Sequence, residues 1–115
     1  MALEIIGHLD IIELMENYIA QNRPPEHLRT QVDLSYKIED QSVIIFEIRP
    51  LWSNPLEKIE CHVAKATLVK ASNNWKVFWL RSNLKWHSYT PEPTVNKLND
   101  FIKLVGEDKH SCFWG

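Results

Sequence analysis

Eleven consecutive residues, Arg81-Ser82-Asn83-Leu84-Lys85-Trp86-His87-Ser88-Tyr89-Thr90-Pro91, hold the densest run of side chains able to do chemistry. His87 can titrate near neutrality, Arg81 and Lys85 can hold an anion, and Tyr89 can donate a hydrogen bond or a proton. The wider stretch Cys61 to Pro91 adds Lys65, Lys70 and Lys76, contains no acid, and carries Trp75, Phe78, Trp79, Trp86 and Tyr89. Cations interleaved with aromatic rings are what a surface needs to hold phosphates while stacking bases or other planar groups. Glu47 and Arg49, two apart on an extended segment, would add a carboxylate and a bidentate anion clamp.

Two uses of these residues compete. In the first, Glu47, Arg49, Lys65, Trp79, Arg81, Lys85, Trp86, His87 and Tyr89 supply a binding surface for an anionic partner, nucleic acid or another phosphate-bearing ligand. In the second, Glu47 or His87 acts as a base on a small anionic substrate held by Arg49, Arg81 and Lys85. No spacing here is specific to catalysis, and there is no Gly-rich phosphate loop, GxSxG or HExxH. The reading therefore leans to a non-enzymatic binding module with no assigned catalytic residue. A third use is a protein–protein contact through the apolar tail residues Phe113 and Trp114.

Neither metal nor cofactor is expected. His62, His87, His110, Cys61 and Cys112 are ligand types, but no CxxC or HxxxH spacing occurs. If the segment around them is a strand, Cys61 and His62 point to opposite faces. Met1-Ala2-Leu3-Glu4 lacks a basic region ahead of an apolar stretch, so no export signal is expected. The two cysteines then read as reduced thiols, and the expected location is the cytoplasm. No apolar run approaches the roughly 20 residues that span a bilayer, so no membrane is expected either.

The net charge of −2 hides a division. Met1 to Glu57 carries four Lys/Arg and ten Asp/Glu, while Lys58 to Gly115 carries nine and five. If the acidic first part lies beside the basic second, the two neutralise each other and the Trp residues are core. If not, the cations and rings face solvent together.

The elements that must position these groups follow from periodicity. With 115 residues, 44% of them hydrophobic, one domain with a core of its own is expected. Ile5, Leu9, Ile12, Met15 and Ile19 mark one helix face, widened by Ile11, Leu14 and Tyr18. The helix starts between Leu3 and His8 and stops before Pro24-Pro25. Val32, Leu34, Tyr36 and Ile38 alternate with polar residues, and a second strand runs from Ser42 to Arg49. A three-residue turn, Glu39-Asp40-Gln41, would gather Leu34, Tyr36, Ile38, Ile44, Phe46 and Ile48 on one face.

Leu51 to Lys58 reads as a loop, and Ile59–Lys70 with Trp75–Arg81 as a second hairpin around Ala71-Ser72-Asn73-Asn74. Its register stays open, because both faces hold apolar residues. Ala64 and Ala66 leave room for a packed helix or a facing Trp. Asn96 is placed as the N-cap of a short helix, with Leu98, Phe101, Ile102 and Val105 inward and Gly106 at the C-cap. The sum is an α+β, two-layer sandwich: helix, four antiparallel strands, helix.

Several of these residues also form a recognisable set. Arg23-Pro24-Pro25, Phe46-Glu47 with Arg49-Pro50 and Trp52, and Ala64-Lys65-Ala66 are followed by Trp75, Trp79 and Arg81. Then come Leu84-Lys85-Trp86-His87, Tyr89, Pro91 and the ending Glu107-Asp108 … Cys112-Phe113-Trp114-Gly115. In these the chain resembles, over nearly its whole length, the small and mostly bacterial proteins of the domain of unknown function 3024 family. It departs from that pattern with Ser111 where a Gly is usual and Trp114 where a Phe is usual. The resemblance implies that Glu47, Arg49, Lys65, Arg81, Lys85 and His87 belong to a shared motif, and it carries no reaction with it.

Overall fold

The computed structural model describes residues 5–114, with side-chain surroundings from Leu9 onward; Leu3, one candidate helix start, lies outside the described residues. Helix α1 runs Ile5–Asn22 and stops one residue before Arg23-Pro24-Pro25. Its buried positions are Ile11, Met15 and Tyr18, with Leu14 and Ile19 packed beside them, so the core face draws on both sets, while Leu9 is 60% exposed. Among the described residues no helix is long and apolar enough to cross a membrane.

Six strands follow, two more than the periodicity indicates: β1 Asp33–Glu39, β2 Ser42–Leu51, β3 Asn54–Val69, β4 Asn74–Leu80, β5 Trp86–Ser88 and β6 Thr94–Val95. They form one sheet in the order β1-β2-β3-β4-β5, antiparallel throughout, with β6 also on β4. The two extra strands are three and two residues long, too short for an alternation to show in sequence. Helix α2, Leu98–Glu107, closes the order.

Register departs from expectation in the first hairpin. Glu39 pairs with Ser42, so the turn has two residues, Asp40 and Gln41, rather than three. Asp40 takes φ 51°, a left-handed conformation that Asp tolerates, and the Gln41 amide donates to the Leu68 carbonyl at 2.7 Å. Leu34 now faces Glu47, Tyr36 faces Ile45 and Ile38 faces Val43. Ile44, Phe46 and Ile48 are therefore on the opposite face from Leu34, Tyr36 and Ile38. Nor is 51–58 a loop: β2 and β3 continue past the rest of the sheet as a two-stranded arm, with Trp52 and Leu56 both 92% exposed.

One buried cluster joins both helices to one face of the sheet. It unites Ile11, Met15 and Tyr18 of α1 with Leu98, Phe101 and Val105 of α2. The sheet contributes Leu34, Val43, Ile45, Ala64, Ala66, Trp75 and Val77, all on one side by register. Ala64 and Ala66 are fully buried beneath it, as their size suggests. Both α2 caps sit one or two residues from their expected places. Lys97 is the N-cap, its amide donating to the Asp100 carboxylate at 3.2 Å, and Asp108, not Gly106, takes the left-handed C-cap at φ 40°.

Asp108 also fixes the tail. Its carboxylate accepts from the Phe113 amide at 3.1 Å and the Trp114 amide at 2.9 Å. The Trp114 indole donates to the Val105 carbonyl at 2.8 Å. Phe113 is buried, 4.9 Å from the Tyr89 ring, so its side chain is part of the core rather than a free anchor.

Candidate functional site

The face of the sheet turned away from the helices has its own apolar and aromatic content. Ile44 and Phe46 are 3% and 5% exposed, yet neither belongs to the cluster beneath the helices. They are covered by side chains of their own face. The cross-strand rows there run Lys37–Ile44–Lys65–Phe78–Ser88 and, one step along, Phe46–His62 and Leu80–Trp86.

A bulge makes this face possible. His62 and Lys65 are three apart, an odd spacing that sends side chains to opposite sides of an unbroken strand. The β2–β3 register slips between Ile45 and Phe46, so that Ile45 pairs with Ala64 but Phe46 with His62. The extra residue, Val63, joins the core cluster, and His62 and Lys65 emerge on the same side.

The rings then form a continuous platform. Phe46 and His62 lie 6.0 Å apart, and His62 stacks on Trp86 at 6.0 Å and 13°. The Lys65 ammonium sits 5.0 Å from the centroids of both Phe78 and Trp86. Burial among these rings pushes the Lys65 pKa down, partly opposed by the Glu39 charge. Lys37, 5.6 Å from the Phe46 ring, bonds Glu60 at 2.8 Å and holds that carboxyl below its ordinary range, with His62 adding to the effect.

Ion pairs form within the first part of the chain, between Lys37 and Glu60 across the two parts, and between Lys109 and Glu107 in the second. Arg23 pairs with Asp33, Lys37 with Glu39 and Glu60, and Arg49 with Glu47. Lys65, Lys70, Lys76, Arg81 and Lys85 take part in no ion pair among the described residues. Contrary to mutual neutralisation, the basic segment keeps its charge.

The residues singled out in the sequence divide among several places. Lys65 and Trp86 meet on the open face. Trp79 and His87 pair across β4 and β5 on the helix side, with the Arg81 guanidinium 5.4 Å from the Trp79 ring. The His87 ring lies 3.2 Å from the Asn83 side-chain amide, and Lys85 is exposed in the turn between them. Tyr89 is 2% exposed within the core, where burial raises its pKa. Trp75 is core as well.

Glu47 and Arg49 bond each other at 3.2–3.3 Å on the helix side. Three strand spacings, about 14 Å, separate β2 from β5, so Glu47 and His87 cannot share a reacting atom. The geometry thus assembles no acid–base pair from them. Phe46, His62 and Phe78 complete the platform; the sequence places Phe46 on an apolar strand face and His62 among ligand types, and assigns neither to a binding surface. Their signal was β2 itself, apolar on both faces from Val43 to Phe46.

Helices on one side of an antiparallel sheet, with no helix over the other side among the described residues and rings and a lysine set there, define an α+β protein with an open sheet face. The chain belongs to the family described as Domain of unknown function (DUF3024), whose model matches residues 6–115. No curated protein and no solved structure matches it.

Proposed function

We propose that the open face binds a single-stranded nucleic acid, as a non-enzymatic module. Bases would stack on the Trp86–His62 platform, and Lys65 would pair with a phosphate. The observation that carries this reading is the Lys65 ammonium, lodged 5.0 Å from two ring centroids with no carboxylate in ion-pair reach among the described residues. A cation held beside stacking surfaces offers the two contacts a single strand needs, charge for its backbone and a π-face for its bases. By register Lys76 shares this face, since it pairs with Thr67 next to Ser42.

The two contributions separate in a titration. Fluorescence anisotropy of a labelled oligothymidylate should show binding that weakens with salt, with a log–log slope of about −0.7 per phosphate contact. Lys65→Ala should flatten that slope by about 0.7, while Trp86→Ala should weaken binding roughly tenfold and leave the slope alone. Absence of binding at low salt, or Trp86→Ala binding as tightly as the unmodified chain, overturns the reading.

A further inference from the structure

On the other side of the sheet, the end of α1, the first two strands and the end of α2 border an open cleft of about 260 Å³. Its walls include Tyr18, Asn22, Leu34, Glu47, Gly106 and Trp114. Gly106 is the informative residue. It is the penultimate residue of α2, still helical, where glycine is a poorer helix former than any residue but proline. It is not the cap, and a Cβ added there would meet nothing within 4 Å. Neither backbone conformation nor crowding calls for glycine at this position. What its missing side chain does is leave space at the pocket.

Tyr18 and Glu47 reach the pocket with bonding capacity to spare. Tyr18 is 8% exposed, and its hydroxyl makes no hydrogen bond among the described residues. No such group is sealed from solvent, so the pocket it lines is its opening. Burial raises its pKa, which keeps it a donor. The Glu47 carboxylate, 25% exposed, accepts from Arg49 at 3.2–3.3 Å, longer than the roughly 2.7–2.9 Å of a tight charge-assisted bond. It retains lone pairs for another donor.

We infer that this pocket binds a small organic ammonium ion, its N–H groups on Glu47 and its alkyl part against Tyr18 and Trp114. No Lys or Arg lines the pocket, and its two carboxylates, Glu47 and the Arg23-bonded Asp33, would repel an anion. A neutral alkyl group would leave Glu47 without its added donor. An ammonium satisfies the carboxylate and is drawn to the aromatic faces as well. The volume lies below that of a drug-sized site, which limits the ligand to a few heavy atoms.

The probe is n-butylammonium, titrated calorimetrically against the intact chain, with n-butanol and butyrate as uncharged and anionic counterparts. Saturable binding of the ammonium alone is expected. Glu47→Gln, nearly isosteric, should weaken it at least tenfold, and Gly106→Leu should abolish it while raising the melting temperature by a few degrees. Trp86→Ala should bind the amine as the unmodified chain does, which keeps this site distinct from the open face. No saturation in the millimolar range, equal affinity for n-butanol, or unchanged binding by Glu47→Gln overturns the inference.

Discussion

Lys65 is where burial and charge conflict. Its folded-state pKa lies below its unfolded one, so the folded chain binds fewer protons there between the two values. The penalty for keeping the ammonium charged is therefore whole at neutral pH. It fades as pH rises through the lowered folded value towards the ordinary lysine range. Lys65→Met should raise the melting temperature at neutral pH, with a gain that shrinks under alkaline conditions. Thermal melts across that range check it, and a variant less stable at neutrality would show that the contacts with Phe78 and Trp86 outweigh desolvation. Backbone conformation provides a second test at this scale. Leu84 at φ 62° and Ser111 at φ 53° occupy the left-handed region. Leu84→Gly and Ser111→Gly should each stabilise the fold by about 1 kcal/mol, read from denaturant midpoints.

At the scale of elements, the C-terminal tail hangs on Asp108. Asp108→Gly keeps the left-handed cap available while removing the carboxylate that accepts from Phe113 and Trp114. The expected loss is about 2 kcal/mol, accompanied by greater exposure of Trp114 in its fluorescence emission. Much of this layer was legible beforehand: the stop of α1 before the prolines, the antiparallel hairpins, helices on one face, and the inward residues of α2. What was not legible came from one assumption, that all apolar strand residues serve a single core. Under it, Ile44, Phe46 and Ile48 demanded a three-residue turn. The chain instead uses Asp40 and Gln41 alone and turns those residues to the open face. The bulge at Val63 was equally hidden, because odd spacing between His62 and Lys65 argues against a shared face until the ladder slips. Trp79, Arg81 and His87 looked contiguous with Lys65 and Trp86, yet strand alternation sends them to the other side.

Across the whole molecule, the division of charge seen in the sequence survives folding. Asp33, Glu39 and Glu47 of the first part are met by Arg23, Lys37 and Arg49, while the Lys and Arg side chains of residues 61–91 stay unpaired among the described residues. For the proposed nucleic-acid partner, such separation would steer encounter and make association sensitive to ionic strength. It also explains how a chain of pI near 6.2 can present a basic surface. The most direct test is amide and side-chain chemical-shift mapping during titration with oligothymidylate. The largest changes are expected at Phe46, His62, Lys65, Phe78 and Trp86, with Trp79, His87 and Glu47 little moved. Changes concentrated on the helix side or on the arm around Trp52, with the open face silent, would contradict it.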